Sequence, residues 1–176
     1  INQYLIPALD EVGKGFEKGT VFLPQLLMSA DAAKMAFAVL KDSLSERGEE
    51  AQKKHKVILA TVKGDIHDIG KNIVKVLLEN YGFDVIDLGK DVPPETIVKC
   101  AVGKDVKLIG LSALMTTTVV SMEDTIKLLK EQKPDCKVMV GGAVLNQEYA
   151  DMIKADFYGK DAMQSVYYAQ RIFAEE

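Results

Sequence analysis

From residue 57 onward the chain alternates short, β-branched apolar runs with amphipathic stretches, and this alternation limits the possible fold more than any other feature. The runs fall at 57–62, 84–88, 108–111, 137–140 and, more weakly, 156–158. Apolar residues at helical spacing follow each of them, over 69–81, 94–102, 119–131, 147–153 and 161–174. Strands that are apolar throughout must be covered on both faces, which requires a parallel sheet with helices above and below. Consecutive βα units of this kind predict an α/β, flavodoxin-like (Rossmann-type) doubly wound five-stranded parallel sheet. Its ligand sites are expected beyond the carboxyl ends of the strands.

The first third of the chain has a different texture. Ile1, Leu5, Leu9, Val12 and Phe16 mark one helical stripe, which Gly13, Gly15 and Gly19 interrupt. A longer helix is expected over 22–47, with Leu23, Leu26, Leu27, Ala30, Ala33, Phe37, Leu40 and Leu44 on one face. Two helices make a thin core, so the region reads as part of a helical-bundle cap domain whose other members lie upstream or come from the second domain. The polar stretch 48–56 reads as a helix end and linker. The expected division is a cap over 1–52, a linker over 53–56 and an α/β domain over 57–176. The stripe starts at Ile1 without a methionine or an N-cap, as in a fragment or a chain lacking its N-terminal stretch.

Charge narrows the function classes. Lysines are scattered and outnumbered by carboxylates, giving a formal net charge of -4, so no basic stripe exists for nucleic acid or an anionic membrane. No apolar run approaches a membrane span and no secretory signal opens the chain, which makes a cytoplasmic setting the default. Cys100 and Cys136 sit in no clustered spacing and read as free, partly buried thiols.

The rim of the expected sheet collects the unusual residues. Between the first strand and its helix lie Gly64, Asp65, His67, Asp68 and Gly70, a loop more polar than a simple βα turn needs. Asp65 and His67 are two apart, so the carboxylate can hold one imidazole nitrogen and leave the other free for a metal. Taken alone, the loop also reads as an acidic N-cap with a surface histidine, or as a phosphoacceptor site with Mg²⁺. After the third strand comes Ser112-Ala113-Leu114-Met115-Thr116-Thr117-Thr118, rich in hydroxyls that could simply cap a helix. After the fourth comes Gly141-Gly142-Ala143, either a turn or a place where a flat ligand meets bare backbone.

Together these three elements resemble the signature of the cobalamin-binding corrinoid proteins and methionine synthases: DxHxxG, then SxL, then GG. Asp65-Ile66-His67-Asp68-Ile69-Gly70, Ser112-Ala113-Leu114 and Gly141-Gly142 match without a departure. The resemblance implies cobalamin (methylcobalamin or a related corrinoid) as cofactor, with His67 as the lower ligand of cobalt. It implies a ligand triad of Asp65, His67 and Thr118, where methionine synthases carry serine in place of Thr118. Thr116 matches a further family position. A crevice lined by Ser112 and the Gly141-Gly142 loop is implied for the cofactor's own base. Phe22-Leu23-Pro24-Gln25 aligns the first region with the family's cap, so that Phe16 and Leu23 are expected to cover the upper corrin face. From the residues alone, both are equally plain core positions of a helix pair.

A corrinoid carries the reactive chemistry itself, and no substrate pocket is evident in the sequence. The expected function is a methyl carrier of an anaerobic methyl-transfer system using methanol, a methylamine, a methoxylated aromatic or a similar donor. Its partners are a substrate:corrinoid methyltransferase, a corrinoid:methyl-acceptor methyltransferase and a reductive activase. A cobalamin module of a methionine synthase is the near alternative, although no activation domain follows the last helix. An adenosylcobalamin mutase subunit is disfavoured by the cap residues. A cobalamin-dependent sensor is disfavoured by the lack of a helix-turn-helix. His55 reads as a solvated linker residue.

Overall fold

The computed structural model describes residues 4–46 and 55–174. Two helices lead, α1 (Leu5–Glu17) and α2 (Leu23–Glu46). The α/β layer follows as β1 (Lys56–Thr61), α3 (Ile69–Asn80), β2 (Asp84–Asp87), α4 (Pro94–Gly103), β3 (Leu108–Ser112), a 3-10 turn (Thr116–Thr118), α5 (Val119–Gln132), β4 (Lys137–Gly141), α6 (Gln147–Met152), β5 (Phe157–Tyr158) and α7 (Ala162–Ala174). The five strands form one sheet in the order β2-β1-β3-β4-β5, every pairing parallel. This is the flavodoxin-like doubly wound order, with its crossover reversal between β1 and β3. The expected fold class holds.

Alternation along the strands sends successive side chains to opposite layers. Ile58, Ala60 and Val62 of the β1 segment, with Ile109, Leu111, Val138 and Val140, meet α4, α5 and α6 in one buried cluster. Val57, Leu59, Leu108 and Met139 meet α1, α2, α3 and α7 in the other. Leu26, Ala30 and Ala33 seat α2, while Gly13 lets α1 approach α7. A Cβ at Gly13 would lie 2.5 Å from Met163 Cε.

Several boundaries differ from the sequence reading. Gly13 and Gly15 lie inside α1 rather than ending it: the bare backbone of Gly13 packs against α7 and that of Gly15 against Thr20 and Val21 of the following turn. The helix stops near Gly19, which adopts φ +72°. β1 starts at Lys56, within the stretch expected as linker, and residues 53 and 54 lie outside the described residues. So do 1–3 and 47–52, which bear on the expected start of the first helix and end of the second; the side chains of Phe37, Leu40 and Leu44 are likewise not described. No helix among the described residues is long and apolar enough to cross a membrane.

Candidate functional site

Asp65 lies at the carboxyl edge of β1, beside the crossover reversal, and is completely buried. Its carboxylate collects donors from two loops. Oδ1 accepts from the His67 backbone N–H at 3.0 Å and from His67 Nδ1 at 2.9 Å. Oδ2 accepts from the backbone N–H groups of Leu114 at 2.7 Å and Met115 at 3.2 Å. The Thr118 hydroxyl stands 2.9 Å from the same oxygen and 2.8 Å from the Met115 carbonyl. Burial pushes a carboxyl pKa up, but the His67 and Leu114 amides, the imidazole and the Thr118 hydroxyl outweigh it and hold Asp65 well below the usual carboxylate range. Asp65 therefore stays ionised. Its contribution to stability is fully present above about pH 4, the ordinary aspartate value, and is lost as pH falls toward the folded value.

An ionised Asp65 can only accept, so the imidazole proton sits on Nδ1 and the lone pair of His67 on Nε2. The ring is 47% exposed while its anchor is 0% exposed, a fixed base presented at the rim. Apolar side chains surround it at the surface: Ile66, Ile69 and Leu114 are all exposed. Asp68 occupies the N-cap position of α3 and Thr118 that of α5, yet neither side chain caps its helix. The simple capping reading of both loops thus fails at the residues it required. The phosphoacceptor reading fails at Asp65, whose oxygens already accept from surrounding N–H and O–H groups rather than facing a cation. Of the three threonines, the 3-10 turn buries only Thr118. Thr116, expected from the resemblance, is exposed, and the hydroxyl that reaches the carboxylate is that of Thr118.

A cavity of about 420 Å³ opens beside this loop, between the sheet, α3 and the first two helices. Gly70, Ser112, Gly141, Gly142 and Ala143 line it from the rim, and Phe16 and Leu23 from the helical layer. Gly142 adopts φ +143°, and a Cβ there would lie 1.8 Å from the Ala113 carbonyl oxygen, so no other residue fits without moving backbone. Gly64 (φ +85°) makes the turn into the Asp65 loop.

Among the lining residues that escaped the sequence reading, Gly110 and Lys71 stand out. Gly110 forms the cavity floor, where a Cβ would crowd Leu59 Cδ2 at 2.5 Å and Met139 Cε at 2.9 Å; a glycine in mid-strand was the available signal. Lys71 is buried beside Gly70 and pairs with Asp87 at 2.6 Å and Asn72 at 2.8 Å. Lys71, the Gly89 amide and Lys75 hold the Asp87 carboxyl below its usual value against the opposing effect of burial. Nothing in the pattern at 71 separates this lysine from a solvated one.

The donor set fits one kind of metal site. Among the described residues no group of three or more His, Cys, Asp or Glu side chains could hold a bare ion. His67 can serve only a metal that brings its other ligands, as a macrocycle does, and the glycine-walled cavity beside it leaves room for a further part of such a ligand.

Comparison with known proteins gives the same result. A B12-binding domain model matches residues 55–167, and a second B12-binding domain model matches residues 1–41. The chain belongs to the B12-binding corrinoid protein family. It is 43% identical to dimethylamine corrinoid protein 1 of Methanosarcina acetivorans over 99% of this chain and 82% of that protein. Among solved structures, it is similar to a cobalamin-binding protein from Desulfitobacterium hafniense, with a TM-score of 0.82 and 34% identity, covering 93% of this chain and 77% of that one. The methanol:cobalamin methyltransferase complex of Methanosarcina barkeri matches with a TM-score of 0.82 and 31% identity, over 99% of this chain and 67% of that one. Response regulators also match, at 11% identity and a TM-score of 0.54, and share the fold alone. The family supports corrinoid binding and a place in a methyltransferase system.

Proposed function

We propose that this corrinoid protein carries a methyl group on cobalt between partner methyltransferases, in the cytoplasm, with a reductive activase to restore the cofactor after oxidation. The observation that carries the reading is His67, held by a buried, ionised Asp65 with its Nε2 lone pair presented at the rim beside the cavity. Dimethylamine, monomethylamine and methanol appear in the names of its relatives, which supports a donor for this chain among small methylated amines and alcohols. The division into a cap over 1–52 and a corrinoid domain over 57–176 belongs to the same proposal, as does the roof role of Phe16 and Leu23.

When bound, the corrinoid supplies a cobalt centre able to accept a methyl group and to give it up. The protein holds and tunes that centre. Asp65 would strengthen His67 as a ligand by accepting a hydrogen bond from its Nδ1–H, and Nε2 could hold a proton whenever it is not bound to a metal. The surrounding donors give Asp65 a weak proton affinity, so such a proton rests on the imidazole rather than on the carboxyl. Thr118 ties the carboxylate to the loop after β3, and its β-branch limits the rotamers available for that contact.

The test is spectroscopic. Added cobalamin, reduced to Co(II), should show nitrogen coupling from protein imidazole in its EPR spectrum, identified with heavy-nitrogen-labelled histidine. His67→Ala should abolish that coupling while the fold remains. An unlabelled signature, or one shared by both proteins, refutes the ligand assignment. Methyl transfer from a methylamine or methanol through the matching methyltransferase then tests the carrier role; no transfer from any such donor counts against it.

A further inference from the structure

The Asp65 side chain is held from one side of β1, by the loop after β3. Its backbone is held from the other side, by the loop after β2, and one residue makes that attachment. Pairing between β1 and β2 does not end with the strands. Leu88 N–H donates to the Leu59 carbonyl at 2.9 Å, Thr61 N–H to the Gly89 carbonyl at 2.9 Å, and Val92 N–H to the Thr61 carbonyl at 3.1 Å, while Val62 bridges Val92. Asp91 forms the last rung. Its Oδ1 accepts from the Gly64 N–H at 2.7 Å and its own N–H donates to the Asp65 carbonyl at 2.9 Å, so two bonds bracket the peptide joining Gly64 to Asp65.

We propose that Asp91 is a positioning residue for His67, fixing the Gly64–Asp65 backbone so that the Asp65 carboxylate meets the imidazole and the loop after β3 at once. The inference rests on the reading of His67 as the cobalt ligand. Three features argue for it over an ordinary turn residue. Asp91 adopts φ +54°, a region that asparagine and aspartate enter more readily than other side-chain-bearing residues. Gly64 adopts φ +85° in a turn closed by the Asp65 N–H, which donates to the Val62 carbonyl at 3.0 Å, so the two Asp91 bonds fasten a formed turn, as a unit, to the loop after β2. And Asp91 is exposed, contributing no apolar burial that would explain its place. If the two bonds open, the loop can swing and Asp65 must choose between its two sets of donors.

Asp91→Gly keeps the positive φ and removes only the side-chain acceptor; Asp91→Asn restores an acceptor oxygen. With the full chain, labelled at histidine and loaded with cobalamin reduced to Co(II), Asp91→Gly should weaken corrinoid binding about tenfold, the usual effect of losing an outer partner of a metal ligand. A loss of protein-imidazole coupling in part of the population should accompany it. Asp91→Asn should recover most of both, and in the cofactor-free protein hydrogen exchange at the Gly64 amide should rise in Asp91→Gly alone. If Asp91→Gly lowers the melting temperature yet leaves affinity and imidazole coupling at wild-type values, Asp91 is a turn residue only and the inference is wrong. If the wild type itself lacks imidazole coupling, the ligand reading fails, and the inference fails with it.

Discussion

The two faces of the sheet are built to different standards. Against α4, α5 and α6 the apolar side chains close into a cluster in which Ile97, Ile109, Met122, Ile126 and Leu129 are all at most 1% exposed. Against α1, α2, α3 and α7 the packing is interrupted. Leu59 and Met139 close over the bare backbone of Gly110, the 420 Å³ cavity opens beside them, and Asp10, Asn80, Tyr81 and Tyr167 bury side-chain atoms that make no well-formed hydrogen bond. Thr61, whose position on β1 points it to the same layer, adds another. The filled face is a scaffold; the interrupted face is where the proposed function puts the cofactor and its helical cover. Stability and binding should therefore separate by face.

Ile126→Ala on the filled face is the severest test of that separation. It should cost about 2–5 kcal/mol of folding stability, the range for a large aliphatic removed from a closed core. At temperatures where the variant stays folded, corrinoid affinity and imidazole coupling should match the wild type. Chemical denaturation and the EPR spectrum check the two halves. Loss of coupling in a folded Ile126→Ala would mean that the filled face also shapes the site.

The sequence made the filled face legible and the interrupted one only in outline. Continuous β-branched runs such as 57–62 and 108–111 announce strands buried on both faces, and the loops at their carboxyl ends displayed Asp65, His67, Ser112 and the Gly141-Gly142 pair. The flavodoxin-like order and the ligand loop follow from such local patterns. What stayed hidden depends on contacts between residues distant in the chain. The family resemblance singles out Thr118 from Thr116 and Thr117, but no periodicity does; the physical reason, burial by the 3-10 turn, appears only in the fold. No spacing joins Asp91 to Gly64, or Lys71 to Asp87. The outward-facing stripe of α2, where Met28, Met35 and Val39 are exposed, is likewise invisible to a reading that follows only the buried face.

Gly110→Ala probes the interrupted face directly. The new methyl meets the ends of Leu59 and Met139, flexible side chains that border the cavity and can shift into it, so stability should change by no more than about 1 kcal/mol. The space they take is lost to the ligand. Corrinoid affinity should fall about tenfold, the effect of one methyl group in a fitted pocket. Titration calorimetry with cobalamin, beside a thermal melt, measures both. A variant that binds as tightly as the wild type would show that the cavity floor is not used.

Tyr81→Phe carries the smallest expected effect and tests whether the unpartnered groups under the cover are as costly as they look. Burial, with the Asp10 carboxylate and Tyr167 nearby, pushes the Tyr81 phenol above its usual range, so the ring is neutral throughout the physiological range and the substitution changes no charge. Its hydroxyl lies near the Asp10 carboxylate but makes no well-formed hydrogen bond. Removing a buried hydroxyl of that kind relieves its desolvation penalty and loses no well-formed bond, so the variant should be more stable by up to about 1 kcal/mol. The gain should concentrate where α1 and α2 meet α3 and α7, read as slower hydrogen exchange in α1. A loss of stability instead would mean that the hydroxyl is satisfied in solution, and that the interrupted face is closer in construction to the filled one than their packing indicates.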